Sequence, residues 1–271
     1  MNYLHTFTNT PAFYSGPLLL RYEVLHLVSQ HCSDRVRAYF EMFTCWTLTP
    51  SQPAALRSSD LSSIWSLLSK YLAGSEEHDD HTSYRTFNTI IGIVSPLVRS
   101  RRDLVIHTLP HLGAILRQLI ASIRQLRPQL GGKQRKVVTD TLPIWLNTAE
   151  PLQVDEVKSL SRLLTSITSK SIVRTYRGPT ADNQKAESLA TPFSKHAAYV
   201  LKAYIDAMND PLCVFPLDLR RELQPGLFSL CDMITEHSRD AMMVSALDAG
   251  GKATMKALWK EYEKQRYVGK G

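Results

Sequence analysis

The chain has 271 residues, 44% apolar and 21% charged, a globular balance that excludes a fibrous or wholly disordered protein. Its formal net charge is +7, and no apolar run reaches the ~20 residues that a membrane-spanning helix needs. The opening "MNYLHTFTNTPAFYSG" has no basic stretch followed by an apolar one, so it reads as interior sequence of a longer protein rather than a signal peptide.

Helical periodicity runs along nearly the whole chain. Leu20 to Val28 and Val36 to Trp46 read as the first two helices. Leu61, Ile64, Trp65, Leu68, Tyr71 and Leu72 form the next stripe, with Ser59 as an N-cap and Gly74 as a stop. The acidic, polar stretch 73–83 reads as a loop. Tyr84, Phe87, Ile91, Val94 and Val98 follow, then Leu112, Ile115, Leu116, Leu119, Ile120 and Ile123. Pro96 and Pro110 lie inside these patterns and should kink or divide them. "VVTDTLPIW" (137–145) is the best strand candidate, and Pro143 weakens it. Val157, Leu160, Leu164 and Ile167 make another helix, with Asp155 and Glu156 at the positive end of its dipole.

The stretch 169–192 is weakly apolar, holds Gly178-Pro179, and reads as a flexible loop or linker. Beyond it Ser194 can cap a helix faced by Ala197, Val200, Leu201, Tyr204, Ile205 and Met208, which Pro211 stops. Pro216 and Pro225 fit first-turn positions, the latter ahead of Leu227, Leu230, Cys231 and Ile234. Met255, Leu258, Trp259 and Tyr262 face the last helix. The expectation is an all-α chain of about ten helices, an irregular stack of helical hairpins, HEAT-like or bundle, in a single domain over 1–271. No fixed repeat period is visible.

Catalytic and metal patterns are weak. Cys32, Cys45, Cys213 and Cys231 lack C-x-x-C spacing and read as buried or half-buried thiols. "EEHDDH" (76–81) has metal-ligand residue types, but a contiguous polar loop seldom gives convergent geometry, and a solvated loop is expected. "GGKQRK" (131–136) and "GGKAT" (250–254) resemble phosphate loops and fail. Gln134 and Ala253 follow the lysines, and Arg127 and Ala246 occupy the place of the first glycine. Gly132 and Gly250 more simply begin or end helices. His31-Cys32 faces no third group, and no nucleophile, base and orienter come together. No enzyme, metal, cofactor or small-molecule substrate is expected.

Charge is the better clue. Nine basic residues (Arg99, Arg101, Arg102, Arg117, Arg124, Arg127, Lys133, Arg135 and Lys136) lie between 99 and 136 against one acid, Asp103, which is 9 − 1 = +8. Arg117, Arg124, Arg127, Lys133, Arg135 and Lys136 are the candidate contacts to RNA or to an acidic protein segment, with "GGKQRK" as a mobile basic loop. The alternative is a helix whose arginines cover apolar surface. Lys252, Lys256, Lys260 and Lys264 form a secondary basic flank on the last helix, beside a face whose Trp259 and Tyr262 read as core rather than as base-stacking platforms.

"KHAAYVLKAYI" (195–205), "DLRRELQPGLFSLCDMI" (218–234) and "LDAGGKATMKALWKEYEK" (247–264) occur in that order. Together they resemble the C-terminal domain of the nucleolar 27S pre-rRNA-processing (unhealthy ribosome biogenesis protein two) family. "LPIWLNTAEPLQVDEVKSLSRLL" (142–164) is similar to the same family. The likeness covers about half of the chain, and the first 135 residues only loosely. Ala198 stands where that family often has proline, and Trp259 where a smaller aromatic is common. The resemblance implies the carboxyl end of a large helical nucleolar protein without an enzymatic motif. It would act in early large-subunit precursors beside a second large helical-repeat protein, an RNA helicase and small assembly factors. The implied role is a scaffold domain in 27S pre-rRNA processing that presents helix faces to proteins and a basic surface to pre-rRNA, or a protein-interaction module without RNA contact.

Overall fold

The apolar stripes become buried helix faces in a computed structural model, which describes residues 58–73, 83–143, 145–172 and 186–268. The helices read at 20–28 and 36–46, and the stop at Gly74, lie outside these residues. The described residues belong to one compact unit, Ser58–Gly271.

Among them are ten α-helices: α1 (Ser58–Ala73), α2 (Ser83–Ser100), α3 (Arg102–Val105), α4 (Leu109–Ala121), α5 (Gly132–Thr139), α6 (Val154–Thr168), α7 (Ala190–Asn209), α8 (Leu217–Met233), α9 (Glu236–Ala241) and α10 (Ala249–Val268). A π-helical turn, Met242–Ala246, follows α9. Among the described residues strand is confined to two antiparallel ladders of two residues each. β1 (Gln125–Leu126) pairs with β4 (Cys213–Val214), and β2 (Ser171–Ile172) with β3 (Ala186–Glu187). The all-α class with about ten helices therefore holds.

The packing suits an irregular stack of helical hairpins, in which each helix meets its counterpart in the next hairpin. The principal contacts form two rows, α1–α4–α7–α10 and α2–α6–α8, joined where α7 meets α8, and short α3 touches both α1 and α2. Helix α10 packs on α7 and α8. Between these helices Trp65, Phe87, Leu112, Ile115, Leu160, Leu164, Phe193, Val200 and Leu223 are among the fully buried side chains. Two buried indoles also find acceptors. Trp65 Nε1 donates to Thr108 Oγ1 at 2.8 Å, and Trp145 Nε1 donates to the Leu72 carbonyl at 3.0 Å.

Local chemistry explains the element ends. Glu156 is buried in the first turn of α6. Its Oε2 accepts from the Gln153 amide at 3.0 Å and its Oε1 from Asn88 Nδ2 at 3.1 Å, so one carboxylate caps α6 and ties it to α2. Asp248 Oδ1 accepts from the Gly251 amide at 2.7 Å at the start of α10. Pro110 sits in the first turn of α4, where its missing N–H costs nothing, and so divides the pattern as expected.

Several local expectations are corrected. Pro96 lies inside a continuous α2. Pro225 is interior to α8 rather than in a first turn. The reason is the α6–α8 crossing. A Cβ on Gly226 would lie 3.0 Å from Ser161 Cα, and the Gly226 amide donates to Ser161 Oγ at 3.1 Å. The backbones touch where "QPG" leaves room, and Ser161 supplies the bond. Ser194 lies within α7, whose start is supported instead by Ser188 Oγ accepting from the Ala190 amide at 3.1 Å. Tyr84 is exposed rather than core. The strand candidate at 137–145 begins as the last turn of α5.

Candidate nucleic-acid interface

The basic stretch 99–136 is distributed over α2, α3, α4, α5 and the turns between them, and its cations meet different fates. Arg102 is turned inward and is 4% exposed. Its Nε donates to the Val98 carbonyl at 3.0 Å, Nη1 to Ser169 at 2.6 Å and Nη2 to Ser166 at 3.0 Å. The guanidinium thus closes the carbonyl ends of α2 and α6 together. Burial pulls its pKa below the usual arginine value. Arg101 pairs with Asp103 at 3.2 Å.

The candidate contacts divide in the same way. Arg117 is exposed on α4. Arg124 is half-buried. Its Nη1 donates to Asp210 Oδ2 at 2.8 Å and its Nε to the Ala121 carbonyl at 2.9 Å. This charge is therefore met by a carboxylate 86 residues away, contrary to the expectation of an unneutralised cation. Arg127 is exposed, and its Nε donates to the Cys213 carbonyl at 3.0 Å beside the β1–β4 ladder.

Lys133, Arg135 and Lys136 are exposed on α5. The segment read as a mobile loop is thus helical. Gly131 and Gly132 open the helix, and the Gly131 amide donates to Gln134 Oε1 at 3.4 Å. Arg135 folds back on its own turn, donating to the carbonyls of Leu130 and Pro128, each at 3.1 Å. Among the described residues, none of the three α5 cations has an ion pair.

On α10 the lysine flank follows the expected geometry. Lys256, Lys260 and Lys264 are exposed and Lys252 is half-buried. Met255, Leu258 and Tyr262 are buried, and Trp259 is half-buried under the Arg239 guanidinium, 5.2 Å from its ring centre. Tyr262 donates its hydroxyl to Asp232 Oδ1. Burial first, then this bond, pushes the Tyr262 hydroxyl up to about 12. These contacts occupy the aromatic faces that base stacking would need.

Cys213 and Cys231 are free and buried, and burial raises their thiols to about 11 and about 12, Asp210 adding to the first. Such thiols are poor nucleophiles at neutral pH. Among the described residues no group of three or more His, Cys, Asp or Glu could hold a metal ion. "EEHDDH", His31, Cys32 and Cys45 lie outside the described residues. Asp210 was the residue that sequence reading missed. Its signal is tertiary, since it reaches Arg124 only because α4 packs on α7.

The described residues define an all-α protein that presents charged helix faces. The family model of the Urb2/Npa2 family matches residues 41–270. The chain belongs to that family, which is involved in 27S pre-rRNA processing and is not known as enzymatic. Membership points to a role in ribosome biogenesis. No curated protein and no solved structure matches the chain.

Proposed function

We propose that the chain is a non-enzymatic scaffold domain in early assembly of the large ribosomal subunit, working in the nucleolus. It holds partner proteins against its helix faces and pre-rRNA against the basic face of α5. The partners are other early assembly factors, a large helical-repeat protein and an RNA helicase among them. The observation that carries the RNA contact is α5 itself. Lys133, Arg135 and Lys136 stand on one exposed two-turn helix with no carboxylate paired to them. Each phosphate they neutralise releases counterions, which favours binding and makes it salt-dependent.

A titration of labelled structured RNA tests this. Reversing Lys133, Arg135 and Lys136 to Glu should weaken binding and flatten its dependence on salt. An unchanged affinity and salt slope would remove RNA from the role of α5. The second reading is a protein-interaction module without RNA contact. Val137, 56% exposed on the same helix, favours it, because an apolar side chain among cations suits an acidic amphipathic partner. Retention of protein partners after nuclease treatment, with no RNA affinity in the purified chain, would select it.

A further inference from the structure

A second basic surface lies away from α5, in a cleft of about 710 Å³ between the end of α2, the outer side of α6 and the middle of α8. Arg99, Lys158 and Arg162 supply its cations together with the inward-turned Arg102, Glu222 its one carboxylate and Pro225 its one apolar side chain. Lys158 and Arg162 are four residues apart on α6, one turn and about 6 Å along the axis. Arg99 and Arg162 are exposed and Lys158 is half-buried. Among the described residues none of Arg99, Lys158 and Arg162 makes an ion pair or a side-chain hydrogen bond. The walls are fixed from beneath. Arg102 clamps α2 to α6, and Gly226 with Ser161 locks α8 to α6. The cations therefore sit on a rigid frame, while their heads remain available.

We propose that this cleft binds the phosphodiester backbone of single-stranded RNA, with Lys158 and Arg162 on neighbouring phosphates and Arg99 on the facing wall. The arginine forks match phosphate oxygens, and their planes offer a surface to unstacked bases. An acidic peptide would meet the same charge, but the apolar surface it would find belongs to Pro225 and the carbon stems of the polar side chains rather than to a pocket built of apolar residues. A flexible strand needs no such pocket. The site deepens the RNA-contact reading given above and rests on it, yet shares no residue with α5.

The test is fluorescence anisotropy of the full chain with a labelled oligouridylate over a salt series. R99A/K158A/R162A is measured beside K133A/R135A/K136A, with polyglutamate as competitor. Loss of three contacts to a single strand should lower the salt slope of the cleft variant by about 2 and weaken binding at least tenfold at low salt. Should that variant fail to fold, R162E alone should still flatten the slope, and an unchanged slope in it overturns the proposal. Loss confined to the α5 variant overturns the cleft while sparing α5. Loss confined to the cleft variant supports the cleft and removes RNA from α5. Unchanged binding in both overturns both. Polyglutamate that binds as tightly as RNA, and through the same three residues, replaces RNA with an acidic protein as the occupant.

Discussion

Two basic stretches about thirty residues apart use their charges in opposite ways. Around α3, Arg102 is buried and spent on three carbonyl oxygens at the ends of two helices. On α5, Lys133 and Lys136 stand in water with no paired carboxylate. Both stretches look alike as a count of charges. The difference is set by what packs against them. Helices α2 and α6 bring their carbonyl ends together at Arg102, whereas α5 makes no extensive contact with another helix.

This contrast can be broken at several points. The largest effect should come from Arg102→Met, which leaves buried carbonyls at the ends of α2 and α6 unpaired. A loss of about 3 kcal/mol in chemical denaturation is expected. Gly226→Val should cost about as much, up to ~3 kcal/mol, because its side chain has no space against Ser161 and Leu164. The Arg124–Asp210 pair is smaller. A double-mutant cycle with R124A and D210A should give a coupling of about 1.5 kcal/mol, since both side chains are about one-fifth exposed. Reversing the α5 cations should change stability by no more than about 0.5 kcal/mol while altering RNA binding. If that variant unfolds instead, α5 is structural and the contrast fails.

A pH profile sharpens the same distinction between core and surface. Cys213, Cys231, Tyr204 and Tyr262 all titrate above their ordinary values because burial disfavours the charged form, with folded values of about 11, 12, 12 and 12. A raised acid stabilises fully below its unfolded pKa and loses that contribution as pH rises through the folded one. Stability should therefore decline from about pH 9, where unfolded thiols begin to ionise, and further above about pH 10 for the tyrosines. Melting temperatures measured from pH 8 to 11 check this, and Y262F should flatten part of the decline.

Much of this was legible in sequence. The stripes at Leu61–Leu72, Leu112–Ile123 and Val157–Ile167 are buried faces, because 3.6-residue periodicity records one-sided burial directly. Glu156 was readable as a helix-start residue, though not its bond to Asn88. What was not legible depends on partners distant in sequence. Pro225 is tolerated inside α8 because Ser161 takes up a neighbouring amide, a fact that only the α6–α8 crossing supplies. Arg124 looked free because Asp210 is remote. Arg99 is not legible as a neighbour of Lys158 and Arg162, since α2 and α6 are separated by more than fifty residues of chain. "GGKQRK" read as a loop because two glycines precede three cations. Yet glycine is allowed at the first positions of a helix, and Gln134 partly secures the start.

The order of these helix contacts also governs how the chain can fold. Helix α4 meets α7, and α6 meets α8, so the early helices lack their main cover until residues beyond 190 exist. At cellular synthesis rates, on the order of ten residues per second, the apolar face of α4 waits several seconds for its cover. A ribosome that stalls before α7 leaves the apolar face of α4 without its main cover.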